Sequence, residues 1–359
     1  MQIPLIDVKA TYAPLMEELE ARFREILGSG QFIRGPHFYA FQEEAAAFLG
    51  VAKTVGVANG TDAIVIVLDA MEIGPGDEVI CPAFTFYATA ESIARRGATP
   101  VFADIDPVTL NLDPDDVASK ITERTRAIMP VHLFGRPAAM QELAKLGIPL
   151  IEDAAQAFGA PGVAELGAAS TYSFFPTKNL FCLGDGGLVA TNDEELADRV
   201  KVLAFHGSRD KTEFDFVGYN SRLDELQAGM LRIFIEQLDG WNRGRREAAA
   251  RYAELGLGEL VELPQDEAGH IYHLFVCSSP ERDRIRAALA EAKIGSATYY
   301  TTPLHLQPAL RFLGYERGSL PETERVAEVN FSVPLWPGIP VEDQERVVDV
   351  VRSAVGVKV

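Results

Sequence analysis

Between residues 50 and 205, short apolar runs alternate with longer amphipathic stretches. The apolar runs end in turn residues and are, in chain order, KTVGVANG, DEVICPAF, ATPVFADID, TRAIMPVHLFG, IPLIEDAA, STYSFF and GGLVATND. The stretches between them have helical spacing and cover Thr61–Met71, Tyr87–Arg96, Pro114–Lys120, Ala138–Leu146 and Asp193–Ala204. This alternation predicts an α/β fold with a mostly parallel central sheet flanked by helices. Nearly continuous apolar strands are typical of a sheet that is buried on both faces.

The pattern changes after this region. A helical pattern from Arg222 to Leu255 predicts one long connecting helix. Beyond it, HIYHLFVCSS and GSATYY predict strands, and PERDRIRAALAEAKI and VEDQERVVDVVRSAV predict helices. We therefore predict two domains, a large α/β domain with an N-terminal helical segment at 1–245 and a smaller α+β domain at 246–359.

Composition narrows the class of protein. The 359 residues carry a net charge of −19, which disfavours nucleic acid as a partner because nucleic-acid binding needs a concentrated positive surface. The sequence contains no run of eighteen apolar residues, so no membrane span is predicted. The N-terminal sequence lacks the pattern of a signal peptide, and three widely spaced cysteines indicate a reducing compartment. We expect a cytoplasmic protein.

Ligands of open α/β sheets bind beyond the carboxyl ends of the strands. One such strand end is ANGTDAI, a glycine turn that opens a helix. The free N–H groups and the helix dipole there favour a phosphate, and Thr61 adds a hydroxyl. The alternative is ordinary helix capping by Asn59, Thr61 or Asp62.

A second strand end places Glu152 and Asp153 after the apolar run IPLI. A carboxylate at this edge of a sheet is costly unless it meets a cation or caps a helix. Asp153 is therefore predicted either to pair with a cationic ring nitrogen or to be an ordinary N-cap.

Lys178 follows the run YSFFPT and precedes a glycine-rich turn. The other eight lysines lie in polar or helical-surface settings. We expect its amine to be surrounded by an apolar frame that consists of Phe174, Phe175, Pro176, Leu180 and Phe181. Desolvation lowers a lysine pKa, as a Schiff-base lysine requires. The alternative is a lysine that extends its stem along apolar surface and keeps its amine in water.

Several other chemistries lack their motifs. GxGxxG, GxxxxGK[ST] and GxSxG are all absent, and the six histidines show no metal-ligand spacing, so no metal is predicted. A phosphate-binding helix start, a strand-end carboxylate and a desolvated lysine are instead the three contacts that pyridoxal phosphate (PLP) needs.

The motifs also resemble a known family. FIRGPHFYAFQEEAAAFLG, NGTDAI, IGPGDEVICPAFTFYATAESI, VHLFG, IEDAAQAFGA, SFFPTKNL, GDGG, GYNSRLDELQAGML and PLHLQPA occur in this order along nearly the whole chain. Together they resemble the DegT/DnrJ/StrS sugar aminotransferases, which are PLP enzymes of fold type I. The resemblance implies a PLP-dependent transaminase that passes through pyridoxamine phosphate and acts in amino-sugar and polysaccharide biosynthesis.

The resemblance also implies contacts to the phosphate of the cofactor. Gly60, Thr61, Asp62 and Ser173 would lie at that phosphate. Asn220 would reach the phosphate in the neighbouring subunit, which implies a homodimer with shared active sites.

The ring contacts follow from the same resemblance. Lys178 would form the Schiff base and move the proton, and Asp153 would pair with the pyridine nitrogen. Gln156 would hydrogen-bond near the ring oxygen. Phe86 would stack on the ring, with plain core packing as its alternative.

The substrate implied is a nucleotide-linked keto sugar, with L-glutamate as amino donor. His206 and His305 would lie near the sugar nucleotide. Asp185 in GDGG, together with NSRLD, favours a 3-keto hexose over a 4-keto sugar. A 4-keto enzyme and a non-catalytic sensor on the same fold remain as alternatives, and the nucleotide, the hexose and the pathway stay open.

Overall fold

A computed structural model of the chain describes residues 2–356. Seven strands form the main sheet: β1 (Lys53–Val57), β2 (Glu78–Pro82), β3 (Thr99–Ala103), β4 (Thr125–Ile128), β5 (Ile151–Asp153), β6 (Ala169–Ser173) and β7 (Gly187–Thr191). Their spatial order is β1-β7-β6-β5-β4-β2-β3, where single parallel bridges join the β4 and β5 edges. β7 is antiparallel to both neighbours, and the other adjacent pairs are parallel. The predicted α/β fold is confirmed.

Ten α-helices accompany this sheet between residues 2 and 255. They are α1 (Val8–Tyr12), α2 (Met16–Ser29), α3 (Pro36–Leu49), α4 (Gly60–Ala70), α5 (Ala88–Arg95), α6 (Pro114–Lys120), α7 (Met140–Ala144), α8 (Glu194–Ala204), α9 (Glu225–Ile235) and α10 (Leu238–Glu254). The prediction of one helix from Arg222 to Leu255 is wrong, because the helix is interrupted between Ile235 and Leu238 and forms the separate helices α9 and α10. No helix within residues 2–356 is long and apolar enough to cross a membrane.

Helices cover both faces of the sheet, and the strands alternate between two cores. Leu188 and Val189 are successive residues of β7, yet each is fully buried in a different cluster. Val189 packs with residues of α4, α5 and α8, and Leu188 packs with residues of α3 and α9. A side-chain period of two with apolar residues at every position explains this burial on both sides.

The C-terminal part has its own core. It contains the antiparallel pair β8 (Phe275–Ser278) and β9 (Asn330–Val333), with α11 (Arg282–Glu291), α12 (Pro321–Val329) and α13 (Val341–Val355). α11 and α13 bury Leu289 and Val351 in this core. The strand predicted over HIYHLFVCSS is present only at its end, and the strand predicted for GSATYY is wrong, because that segment makes one isolated bridge.

Two segments cross the predicted boundary at residue 245. Ile3 pairs with Ile294 and packs in the C-terminal core. Leu304 and Leu310 pack instead against the core of the large sheet. The division into 1–245 and 246–359 stays a prediction. By these contacts, the segment at Ile3 packs with the C-terminal part and the segment at 304–310 packs with the large sheet.

Candidate active site

Lys178 lies in the loop after β6, at the carboxyl edge of the sheet. Phe174, Leu180 and Phe181 are buried in the core beside it, but Phe175 is 50% exposed, so the predicted apolar frame is only partly formed. The amine forms no hydrogen bond or ion pair with residues 2–356. Burial lowers the pKa of Lys178 to about 8, against the opposing effect of the Asp153 charge. A neutral amine is therefore accessible close to neutral pH.

Asp153 ends β5, the strand next to β6. Its carboxylate accepts a hydrogen bond from the Thr89 hydroxyl at 2.8 Å and from the Ala155 N–H at 3.2 Å. Burial raises the pKa of Asp153, while these hydrogen bonds and the charge of Lys178 act in the opposite direction. No described helix begins after Asp153, so the alternative that it is an N-cap is wrong.

The two groups face one site because of the sheet topology. β5 and β6 are adjacent and parallel, with Asp153 opposite Thr171 in register. Their carboxyl ends therefore meet at one edge, where Asp153 and Lys178 influence each other's pKa. A buried acid that lacks a strong cationic partner thus lies beside a desolvated amine.

The start of α4 lies at the same edge. Asn59 caps the helix by accepting from the Asp62 N–H at 2.8 Å, so the capping prediction is confirmed for Asn59. The N–H groups of Gly60 and Thr61 have no acceptor within residues 2–356. A Cβ at Gly60 would lie 2.7 Å from the Ser173 Cβ. Glycine thus allows the helix start and the Ser173 hydroxyl to share one space, which suits a phosphate.

The Asp62 carboxylate is directed elsewhere. It accepts from the Ser221 hydroxyl at 2.7 Å, and Ser221 in turn accepts from the Ala58 N–H at 3.0 Å. Asp62 therefore ties the helix start to the segment that carries Asn220. Its amide is already capped by Asn59, so the predicted contact of Asp62 with a phosphate stays a prediction.

Aromatic side chains line another part of the site. Phe86 is 60% exposed, so plain core packing is wrong for it. Its ring lies 6.5 Å from that of Tyr300, centroid to centroid. Gln156 donates to the Tyr300 hydroxyl at 3.2 Å and accepts from the Phe134 N–H at 2.6 Å. The Gln156 amide is therefore held in place before any ligand arrives.

The remaining predicted residues are spread more widely. Asn220 is exposed, and its backbone pairs with Phe205 in an isolated antiparallel bridge beside His206. His305 is 2% exposed and shares a hydrogen bond of 3.0 Å with Glu324. The geometry argues against direct contact between His305 and a substrate, because no open surface of the ring faces a site. His206 is partly exposed and sits at a positive φ of 65°.

Sequence reasoning missed Thr89 and Tyr300. Thr89 lies on α5 and completes the surroundings of Asp153, and Tyr300 comes from the C-terminal part of the chain. Thr89 follows the FTF motif by three residues, which could have suggested it. Tyr300 carried no comparable signal, since TYY was assigned to a strand.

The fold and this site define a class. A mostly parallel sheet carries a desolvated lysine, a buried acid and a helix start with free amides at one edge, which suits a phosphorylated cofactor with an aldehyde and a basic ring nitrogen. The sequence pattern of the DegT/DnrJ/EryC1/StrS aminotransferase family matches residues 14–352, and the chain belongs to this family. The predicted family, enzyme class and PLP cofactor are confirmed.

The chain is similar to proteins of more than one described role. It is 46% identical to a pleiotropic regulatory protein of Geobacillus stearothermophilus, over 97% of each chain. It is 43% identical to a UDP-N-acetyl-3-dehydro-alpha-D-glucosamine 3-aminotransferase of Acidithiobacillus ferrooxidans, over 98% of this chain and 97% of the relative. Sugar-nucleotide aminotransferases are therefore among its relatives.

The fold is also that of a solved enzyme. DesV of S. venezuelae, whose crystal structure contains a ketimine intermediate, superposes with a TM-score of 0.95. The two chains are 40% identical, and the match covers 100% of this chain and 99% of DesV.

Proposed function

We propose that this protein transfers the amino group of L-glutamate to a nucleotide-linked keto sugar, with a 3-keto hexose as the favoured substrate. The observation that carries the proposal is the placement of Lys178 and Asp153 at one sheet edge, where each influences the pKa of the other, in a chain of this aminotransferase family. The roles of the individual residues below belong to the proposal.

PLP supplies an aldehyde carbon that bonds to amines and a conjugated ring that takes up negative charge. Asp153 would hold the proton of the ring nitrogen, because a buried carboxylate with a raised pKa is stabilised by an adjacent cation. Lys178 Nζ would carry the cofactor at rest. Once released, it would move a proton between carbon atoms as a base with a pKa of about 8.

The phosphate would be bound by the free N–H groups of Gly60 and Thr61 and by the Ser173 hydroxyl. The helix dipole of α4 adds a favourable potential at this point. These contacts would hold the phosphate end of the cofactor beside the start of α4.

Phe86 would cover one face of the ring, since its exposed side chain lies near Tyr300, which Gln156 contacts. The fixed Gln156 amide would lie near the ring oxygen. His206 would reach the sugar nucleotide from a partly exposed position. His305 would support the substrate side indirectly, through the segment that it anchors to Glu324.

A homodimer would complete the site. Asn220 is exposed on the large domain, as a residue that serves a partner must be. Large apolar side chains are also exposed on α2 and on several loops, and burying them against a second copy would stabilise the pair. They include Phe23, Leu27, Ile33, Phe175, Leu183, Phe214 and Val217.

The preference for C3 rests on Asp185 and on the relatives. Several similar proteins are described as acting at the 3-position, among them the Acidithiobacillus enzyme above. A regulatory role is the second candidate, favoured by the described role of the Geobacillus relative. An active site with a reactive Lys178 argues for catalysis even in a protein that also regulates.

The decisive experiment is the visible spectrum of the purified protein with PLP. We expect a lysine-dependent absorption band in the wild type and in Lys145→Ala, an exposed-lysine control, and none in Lys178→Ala. Borohydride reduction followed by peptide mass spectrometry should place the cofactor on Lys178. A band that survives in Lys178→Ala would contradict the assignment.

Glutamate should then convert that band to the pyridoxamine form, and a panel of keto sugar nucleotides should reverse the change. Conversion by another amino acid alone would reject glutamate as donor. The position of nitrogen in the product tests the substrate, because nitrogen at C4 would reject the 3-keto assignment. A PLP-bound protein that turns over no member of the panel would support the regulatory candidate.

Subunit mixing tests the shared site. Lys178→Ala and Asn220→Ala variants should each be weakly active, whereas mixed dimers contain one intact site. If subunits exchange at random, activity should recover to about a quarter of the wild-type value. No recovery, with exchange verified by tagged subunits, would place Asn220 in the site of its own chain.

A further inference from the structure

The segment around His273 comes from the C-terminal part of the chain and contacts residues next to those of the candidate site. The N–H of His273 donates to the Phe134 carbonyl at 2.8 Å, and the N–H of Ile271 donates to the Gly135 carbonyl at 2.9 Å. Phe134 is itself held by Gln156, whose amide oxygen accepts its N–H. His273 is thus fixed against the residues that line the proposed cofactor site.

A second chain of contacts ties His273 to the residue after Lys178. The Asn179 amide donates to the Asn242 side-chain oxygen at 2.9 Å and to the Ile271 carbonyl at 3.3 Å. Because the Asn179 NH2 group donates to these two acceptors, the Asn179 side-chain oxygen is the atom that lies 3.1 Å from His273 Nδ1 and accepts its hydrogen bond. His273 therefore carries its proton on Nδ1, and Nε2 is an acceptor.

Nε2 of His273 is the free end of this network. It has no hydrogen-bond partner within residues 2–356. Although His273 is only 4% exposed, Nε2 is not completely enclosed by protein atoms. Fixed charges nearby keep the ring neutral. Burial, Lys178 and Arg245 all hold the pKa of His273 well below its usual range.

Arg245 makes this neutrality robust. Its guanidinium is buried on α10, one turn after Asn242, and Nε and Nη1 have no partner in the described chain. Its positive charge acts on the imidazole and opposes protonation of Nε2. His273 is thus an acceptor at all pH values near neutrality.

Lys178 needs such an acceptor. Its amine has no hydrogen bond within the described residues, and proton transfer requires that a released amine be held in one position. We propose that His273 is a positioning residue whose Nε2 accepts a hydrogen bond from the Lys178 amine and holds it for proton transfer. The inference rests on Lys178 being the lysine that carries PLP.

Two substitutions separate this role from a structural one. His273→Gln places an amide oxygen near the position of Nε2, whereas His273→Asn preserves a donor near Nδ1 for Asn179 and removes the group at Nε2. His270→Gln is the matched control: its ring belongs to the same segment, meets the Phe134 carbonyl and stacks on Tyr272.

The first measurement uses the apoprotein. The rate of acylation of Lys178, followed by peptide mass spectrometry against pH, should give a wild-type midpoint near its pKa of about 8. An acceptor stabilises the charged ammonium, so we expect His273→Asn to lower the midpoint by about half a unit or more, with Gln close to wild type. Asp153 also faces the amine and is unchanged in every variant.

The second measurement uses the PLP-loaded enzyme. His273→Asn should slow the glutamate half-reaction by about 10- to 100-fold and increase the isotope effect of α-deuterated glutamate, with little change in PLP affinity. Gln should retain most of the rate. Wild-type behaviour of the Asn variant, or loss in Gln with retention in Asn, would overturn the proposal. Absence of a lysine-dependent band in the wild type would instead overturn the proposed function.

Discussion

Glu152 and Asp153 are neighbouring acids at the end of β5, but their carboxylates have different hydrogen-bond surroundings. Glu152 is fully buried and meets three N–H donors: His132 Nε2 at 2.8 Å, the Ala164 amide at 2.9 Å and the Gly167 amide at 2.8 Å. Asp153 is 5% exposed and meets two protein donors, while its pKa is raised by burial.

The difference separates a structural acid from a candidate catalytic one. The donors to Glu152 compensate its desolvation and leave no room for a ligand. His132 Nδ1 accepts a hydrogen bond from the Ala138 amide, so the ring proton is on Nε2, which donates to the Glu152 carboxylate. Asp153 has weaker compensation and a neighbouring cation in Lys178. An acid left incompletely satisfied at the edge of a sheet is the better candidate for function.

The largest expected effect is on Asp153. Asp153→Asn should lower the rate of the glutamate half-reaction by roughly 10²- to 10⁴-fold, because the ring nitrogen loses its counter-charge. Its thermal stability at neutral pH should equal or exceed that of the wild type, because burial raises the pKa of Asp153 and its charged form therefore opposes folding. Stopped-flow spectra and thermal melts measure both. A rate within tenfold of wild type would remove the functional side of the comparison.

Glu152 should show the reverse pattern. Glu152→Gln should lower the free energy of unfolding by about 2–4 kcal/mol, because the amide cannot accept all three hydrogen bonds. Activity per folded molecule should change much less than in Asp153→Asn. Urea titration of this variant, of His132→Gln and of the double variant gives the coupling energy of the pair. Additive losses would show that the two side chains do not act together.

The charge on Lys178 predicts a pH dependence of stability. With a folded pKa of about 8 and an unfolded value near 10.4, the unfolded chain binds a proton that the folded apoprotein lacks between these pH values. Stability should therefore rise with pH in this window, by up to about 3 kcal/mol in total, and Lys178→Met should lack the rise. Urea unfolding of both proteins from pH 7 to 10 measures the difference. Parallel curves would show that the pKa is not lowered.

The smallest effect concerns the hydroxyl next to Asp153. Thr89→Val removes its donor, which should cost about 1 kcal/mol of stability, raise the pKa of Asp153 further and weaken PLP binding a few-fold. Thr85→Val is the control, since its hydroxyl lies 3.2 Å from that of Thr89 and does not meet the acid. Equal PLP affinity in both variants and the wild type would show that Thr89 does not support the charge of Asp153.

Local sequence was sufficient for much of the site. The strand ends, the helix start at Gly60 and the unusual setting of Lys178 were all predicted, because strands and helices follow from apolar spacing over a few residues. The resemblance to the family added assignments such as Asn220 that spacing could not provide. The structure argues against the predicted substrate contact of His305, because the ring is buried against Glu324, nineteen positions away in the sequence.

Other features required the assembled chain. The sequence places Glu152 and Asp153 side by side, but it does not say which one faces Lys178, since a shift of one residue exchanges the faces of a strand. Thr89, Tyr300 and His273 approach Asp153, Gln156 and Asn179 from distant positions. The sequence by itself thus determined most strands and helices of the main sheet and singled out Lys178, because both depend on short-range patterns. The tertiary structure alone decided which side chains surround that lysine, because those contacts join residues far apart in the chain.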